Sequence, residues 1–197
     1  MPILILIGGA PCSGKSTIAR ELGYILDARV VSTDDVRSEM QESGYPKEKY
    51  PNLFDSNSPE EYFIKYKDAK QVVKQENLQS LDVQIGIDKL ISSNAADLII
   101  EGVAITPQYV KKLTDKGYDI KYIFLIEKDK QQIRSTVFTR GVWDDADKYS
   151  DEIKEKEVVW VLEYNLWLEK EVLKYNFKFI SADNKNQMIE QAESLTR

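Results

Sequence analysis

The most informative part of the chain is residues 3–20, which read Ile-Leu-Ile-Leu-Ile-Gly-Gly-Ala-Pro-Cys-Ser-Gly-Lys-Ser-Thr-Ile-Ala-Arg. A five-residue apolar run, typical of a buried strand, leads into the pattern glycine, four residues, glycine, lysine and a hydroxyl residue. Glycines allow backbone angles that turn successive N–H groups toward a phosphate, and the helix that follows has a positive N-terminal end. The pattern therefore predicts a strand, a phosphate-binding loop and a helix.

The residues of this loop have distinct expected roles toward a nucleotide. Lys15 is expected to reach the β- and γ-phosphates, and Ser16 to ligate Mg²⁺ through its hydroxyl. Cys12 occupies a variable position of the loop and is interpreted as a small filler residue. The residues predicted to contact the nucleotide are Gly9, Ala10, Pro11, Cys12, Ser13, Gly14, Lys15, Ser16 and Thr17.

The composition excludes several other classes of protein. The chain has 197 residues, no histidine, one cysteine and a formal charge of −6. Its length is that of one domain, and without histidine it has no Ser-His-Asp triad, Cys-His dyad or His-ligated zinc. A single thiol rules out an internal disulfide framework and indicates a reducing compartment, so we expect a cytoplasmic protein. No apolar run suggests a membrane span or signal peptide, and the acidic balance disfavours nucleic acid without ruling out a local basic patch.

The remaining chain alternates apolar runs with helical signals. Helices are predicted after Ser58-Pro59, where a capping box opens a long polar helix, after Thr106-Pro107, and from Ser150 toward Tyr175. Strands that are apolar on both faces and alternate with helices favour a parallel sheet covered on both sides. We therefore predict one α/β domain over 1–197, a three-layer αβα fold with a five-stranded parallel sheet. The predicted strands are 3–7, 29–32, 98–100, 120–126 and 177–180.

Charged residues follow the second predicted strand, where ligands of open α/β sheets gather. Asp34 is expected to accept the proton of an attacking hydroxyl, and Arg37 to hold an anionic acceptor or the transferring phosphoryl group. Alternatively, Asp34 or Asp35 caps a helix that begins at Val36, and of the two we assign the cap to Asp35.

Other nucleotide-binding classes lack support in the sequence. A GTP switch needs Asn-Lys-x-Asp and Asp-x-x-Gly, but residues 184–187 lack the Asp and the second motif is absent. The Leu-Ser-Gly-Gly signature of transporter ATPases is also absent. These absences favour a small kinase, in which a second substrate docks over the phosphate loop.

Three short blocks resemble the P-loop small-molecule kinases. They are Gly-Lys-Ser-Thr at 14–17, Asp-x-x-Arg at 34–37, and Leu-Ile-Ile-Glu-Gly-Val-Ala-Ile-Thr-Pro at 98–107, which is similar to a stretch of 2-phosphoglycerate kinases. The resemblance implies a helical lid and makes Asp34 the general base. Residues 34–37 also resemble the Asp-Asp-x-x-Arg stretch of polynucleotide 5′-kinases.

Within the third block, Glu101 ends the apolar strand and is expected either to order Mg²⁺ or to hydrogen-bond the phosphate-loop backbone. By resemblance, a lid over about 134–152 brings Arg134 and Arg140 to the phosphates. These two arginines are six residues apart, where lids commonly space them by four. Trp143 covers a nucleotide or packs within the lid.

A surface excursion over about 41–80 is where the acceptor is expected to bind. Its tyrosines and lysines fit a solvated helix face better than a nucleic-acid surface, whereas Lys47 and Lys49 in the loop are acceptor candidates. The predicted protein is an ATP- and Mg²⁺-dependent kinase acting on a hydroxyl of a small, 2-phosphoglycerate-like anionic metabolite. A polynucleotide 5′-kinase and an ATP-binding regulatory NTPase without acceptor are the alternatives. No oligomeric state is indicated.

Overall fold

The computed structural model describes residues 2–55, 58–143, 146–182 and 185–196. Five strands form one sheet in the order β2-β3-β1-β4-β5, and every neighbouring pair is parallel. This confirms the predicted five-stranded parallel sheet. The strands are β1 (Leu4–Gly9), β2 (Arg29–Ser32), β3 (Leu98–Glu101), β4 (Lys121–Ile126) and β5 (Ile180–Ser181).

Helices cover both faces of the sheet. Along β1, Ile5 and Ile7 pack with α1 and α8, while Leu6 between them faces the larger core that is closed by the other helices. This alternation gives the three-layer αβα arrangement that was predicted. The helices are α1 (Lys15–Leu26), α2 (Thr33–Glu42), α3 (Pro59–Lys65), α4 (Ala69–Ser93), α5 (Pro107–Asp115), α6 (Lys130–Thr139), α7 (Asp151–Lys174) and α8 (Lys185–Thr196), with 3₁₀ turns at Pro51–Phe54 and Ala146–Lys148.

The prediction that one long polar helix begins after Ser58 is wrong about where the long helix begins. Ser58 does cap a helix, but that helix is α3, which ends at Lys65 because Tyr66 is extended. The long helix α4 begins at Ala69, after three intervening residues, and the Asp68 side chain caps it by accepting the Gln71 N–H at 3.0 Å. A second cap therefore divides the predicted helix in two.

Two smaller differences concern element ends. The strand predicted at 177–180 shrinks to β5, because the N–H of Phe177 donates to the Val172 carbonyl and closes the end of α7 instead of joining the ladder. Helix α2 begins at Thr33, and Ser32 caps it by accepting the Asp34 N–H at 3.2 Å. The assignment of that cap to Asp35 was therefore wrong.

No helix within the described ranges combines the length and the apolar character needed to cross a membrane.

Gly102, directly after β3, combines a positive φ angle with a close approach to another residue. Its φ is +148°, and a Cβ at this position would lie 1.8 Å from the Thr33 Oγ1 atom. We expect Gly102→Ala to lower the free energy of unfolding by about 2–5 kcal/mol, because backbone strain and overpacking add. Urea unfolding followed by tryptophan fluorescence measures this change.

Gly44→Ala is the matched control for Gly102→Ala. Gly44 also has a positive φ, +75°, but a Cβ there meets nothing within 4 Å. This variant should lose only the cost of the backbone conformation, about 1–2 kcal/mol. Equal losses in the two variants would show that the close approach to Thr33 is not responsible.

Candidate active site

The carboxyl ends of β1, β2 and β3 meet at one edge of the sheet and open into a single cavity of about 380 Å³, here called the edge cavity. A larger groove of about 610 Å³, mostly apolar, lies between α4 and α7 and contains none of the predicted site residues. The charged residues that line the edge cavity are Lys15, Arg20, Asp34, Arg37, Glu76, Glu101 and Arg140.

The phosphate loop joins β1 to α1 along the edge cavity. Cys12 and Gly14 have positive φ angles of 64° and 86°, which allow the tight reversal between strand and helix. Gly9 is close-packed, since a Cβ there would lie 2.6 Å from the Ser13 Oγ atom. No side chain caps α1, so its first N–H groups remain available to an anion. The loop therefore fits a polyphosphate.

Lys15 places a buried cation in this loop. Its Nζ atom donates to the Ala10 carbonyl at 2.6 Å. Burial lowers the pKa of Lys15, while the nearby carboxylates of Glu101 and Asp34 raise it. A buried ammonium group is costly unless an anion accompanies it. Lys15 thus suits the charge of a terminal phosphate.

Ser16 and Glu101 bring two oxygen ligands together beside the loop. The Ser16 hydroxyl donates to Glu101 Oε1 at 2.9 Å, so Glu101 bonds a loop side chain rather than the loop backbone. Burial raises the pKa of Glu101, and Lys15 opposes that shift. Mg²⁺ commonly takes one or two protein oxygens and completes its shell with phosphates and water. The pair fits such an ion, although the described residues contain no group of three or more acidic, histidine or cysteine ligands.

Asp34 lies in the first turn of α2 and lines the edge cavity with Lys15. Its carboxylate is close enough to Lys15 to raise the pKa of that ammonium. Asp35 does not line this cavity; it borders a separate groove beside Met40. The two neighbouring carboxylates therefore have different surroundings: Asp34 lines the cavity with the phosphate loop, whereas Asp35 does not, although it is near enough to Glu101 to raise the pKa of that group.

Arg37 lines the edge cavity one helical turn after Asp34. Its Nε donates to the Leu53 carbonyl and its Nη2 to the Asp55 carbonyl, both at 3.1 Å. The guanidinium is thus held by the backbone of residues 51–55, here called the clamped segment.

Side chains of α2 and α4 hold the clamped segment in place. Asp82 accepts the N–H groups of Asn52 and Leu53 at 3.1 and 3.2 Å. Gln79 donates to the Asn52 carbonyl at 3.2 Å, and Gln41 to the Leu53 carbonyl at 2.7 Å. The position of Arg37 therefore depends on a segment that both its own helix, α2, and the helix α4 hold in place.

The two predicted lid arginines lie in different places. Arg140 lines the edge cavity with its Nη2 atom 3.6 Å from the Cys12 Sγ atom. Arg134 lies outside it, where its Nε donates to Glu155 at 2.7 Å and its guanidinium stacks 3.9 Å from the Phe138 ring centre. Six residues correspond to about 240° around a helix, so the two side chains diverge. Of the predicted lid range, residues 144 and 145 lie outside those described.

Three aromatic side chains, those of Tyr62, Trp143 and Trp160, line one side of the edge cavity and are here called the aromatic wall. Trp143 stacks on Tyr62 with ring centres 6.2 Å apart and lies 5.3 Å from Trp160. Lys47 and Lys49 do not line the cavity, and Lys49 lies over the Tyr50 ring instead.

Glu76 on α4 lines the edge cavity and was missed in the sequence. A signal was present, because Val72, Val73 and Val83 mark the buried face of α4 and Glu76 shares that face. Burial raises its pKa to about 8. The signal for Glu76 is an acidic residue at a position where the helical periodicity predicts an apolar one.

Known proteins match this chain in sequence. A family model described as an AAA domain matches residues 4–82. A 2-phosphoglycerate kinase of Methanopyrus kandleri is 32% identical over 136 residues, which are 66% of this chain and 41% of that protein. The resemblance to 2-phosphoglycerate kinases is confirmed. One from Pyrococcus horikoshii is 28% identical over 192 residues, covering 91% of this chain and 59% of that protein. The chain thus spans about half the length of these 2-phosphoglycerate kinases.

Solved structures agree on the fold. A gluconokinase from Sinorhizobium meliloti 1021 has a TM-score of 0.53 at 12% identity, covering 98% of this chain and 90% of its own. A shikimate kinase from Bacteroides thetaiotaomicron has the same TM-score and identity, covering 98% of this chain and 96% of its own. At such identities the likeness shows a P-loop αβα fold.

Proposed function

We propose that this protein is an ATP- and Mg²⁺-dependent kinase that phosphorylates a hydroxyl of a small anionic metabolite related to 2-phosphoglycerate. The observation that carries the proposal is the shared cavity: Lys15, Asp34 and Arg37 line it together beside the phosphate loop. The names of the 2-phosphoglycerate kinases that match the sequence support the reaction class and the acceptor.

Each group has a role in this proposal. The loop N–H groups and Lys15 hold the β- and γ-phosphates, and Arg140 places a positive charge near the oxygens on which negative charge develops during transfer. Asp34 accepts the proton of the attacking hydroxyl, and Arg37 orients the acceptor. Arg134 joins the site only if the lid moves, since it now pairs with Glu155.

Ser16 and Glu101 would hold Mg²⁺, which supplies charge neutralisation at the phosphate oxygens when bound. Neither residue needs another protein ligand, because phosphates and water complete the shell of this ion. Water exclusion by the aromatic wall of Tyr62, Trp143 and Trp160 favours transfer to the acceptor over hydrolysis.

The direct test is transfer of label from γ-labelled ATP to a panel of acceptors. We expect label on 2-phosphoglycerate, dependence on Mg²⁺ and loss of transfer with a chelator. Label on 5′-hydroxyl oligonucleotides instead would favour a polynucleotide kinase. ATP hydrolysis that no acceptor accelerates would favour a regulatory NTPase. Either result contradicts the proposed acceptor.

A further inference from the structure

Glu76 is a buried carboxyl group that has no role in the phosphoryl transfer proposed above. It is 7% exposed and lines the edge cavity from α4. Its Oε2 atom accepts the indole N–H of Trp160, on α7, at 2.7 Å. In the described part of the chain the second carboxyl oxygen, Oε1, makes no hydrogen bond. That oxygen is therefore available to a molecule in the cavity.

Ionisable groups face Glu76 from four elements packed around it. Lys15 on α1 and Arg37 on α2 are the cations, and Asp34 on α2 is a second carboxylate. Tyr62 on α3 and Tyr164 on α7 are close enough for a charge on Glu76 to raise the pKa of each phenol. An ionised Glu76 would put a second negative charge beside Asp34 at the acceptor end of the cavity.

The surroundings favour the neutral form of Glu76. Burial raises its pKa to about 8, although the Trp160 hydrogen bond and the charges of Lys15 and Arg37 act in the other direction. A neutral carboxyl group has one accepting oxygen and one O–H donor. Since Oε2 accepts the Trp160 indole N–H, we assign the proton of the neutral form to Oε1, which has no hydrogen-bond partner among the described residues.

We propose that Glu76 is a specificity-determining residue that binds the phosphoryl acceptor, with its Oε1–H donating a hydrogen bond to an anionic oxygen of that acceptor. The inference rests on the proposed kinase function and deepens it by assigning an acceptor subsite. The chemical class that fits is a carboxylate or phosphate, which Arg37 also attracts. Because Glu76 is buried, this hydrogen bond is stronger than one in water.

The first test measures the ionisation of Glu76 without any acceptor. The Trp160 indole N–H signal, assigned with Trp160→Phe, is followed by nitrogen–proton NMR against pH. We expect a titration centred near pH 8 in the wild-type protein and its loss in Glu76→Gln, which keeps the shape of the side chain but cannot ionise. A Trp160 signal that titrates near the ordinary carboxyl range would overturn the proposal.

The second test measures binding of 2-phosphoglycerate by calorimetry between pH 7 and pH 9. Above pH 7 the phosphate of this probe is already ionised, so its charge changes little. Because only the neutral form of Glu76 donates, the dissociation constant should rise roughly ten-fold over this range for a pKa of about 8. Glu76→Gln should bind with a nearly constant dissociation constant, since its amide always donates.

Glu152→Gln is the control, because Glu152 is an exposed residue of α7 that pairs with Lys156. It should keep the full pH dependence. Binding that strengthens as pH rises, a wild-type slope in Glu76→Gln, or no binding of 2-phosphoglycerate at pH 7 would each overturn the subsite. If binding follows the expected pH dependence but no label is transferred, the subsite stands and the proposed kinase function fails.

Discussion

Asp34→Asn is expected to lower the rate of phosphoryl transfer by about 10²–10⁴ while changing the affinity for ATP less than two-fold. The asparagine fills the same space in the first turn of α2, but its amide cannot take a proton from the attacking hydroxyl. The helix cap is unaffected, since Ser32 accepts the backbone N–H of residue 34 and not its side chain. Single-turnover transfer and nucleotide calorimetry measure the two quantities separately.

Asp35→Asn provides the matched control for this prediction. Asp35 is the next residue of the same helical turn, but it borders the groove beside Met40 and not the edge cavity. We expect its transfer rate to stay within about two-fold of wild type, as for most surface changes. If Asp34→Asn transfers phosphoryl groups at the wild-type rate, or if both variants fail equally, the general-base role is wrong.

Lys15→Met is expected to lower the transfer rate by about 10²–10³ and to weaken ATP binding, because it removes the cation nearest to the expected terminal phosphate. The same change should leave the protein without nucleotide at least as stable as wild type. Lys15 is buried, and burial outweighs the nearby Glu101 and Asp34 carboxylates in lowering its pKa, so folding carries a net cost of desolvating its charge. Transfer assays and urea unfolding give the two results.

The stability result is what separates this role from a structural one. A lysine that braced the loop would destabilise the protein when replaced, whereas a cation kept for a ligand would not. Lys121→Met, at the exposed start of β4, is the control and should change neither measurement. Wild-type turnover in Lys15→Met would contradict the assignment of the phosphate loop.

Much of the fold could be predicted because its signals are local. The apolar run of β1, the glycines after it and the start of α1 lie within one stretch of chain, and parallel pairing then brings the ends of β2 and β3 to the same edge. This is why Asp34 and Glu101 were both expected beside the loop. The division between α3 and α4 was missed because the cap at Ser58 alone accounts for the start of a helix, so the second cap, at Asp68, was not recognised.

The parts of the candidate site that escaped prediction depend on distant contacts. Glu76 and Trp160 are 84 residues apart, and only the packing of α4 on α7 brings them together. Arg37 was expected in the site, but the carbonyls that hold it come from residues 16 and 18 positions away. No local pattern indicates such partners, since each contact is set by how helices pack over the sheet.

The clamped segment at 51–55 has a consequence for how acceptor choice can change. It is tied to α2 and α4 by Gln41, Gln79 and Asp82, and it makes no strand of the sheet. Insertions or substitutions there would reposition Arg37 in the edge cavity, while the phosphate loop keeps its own contacts. We therefore expect substitutions in this segment to change acceptor preference without loss of nucleotide binding.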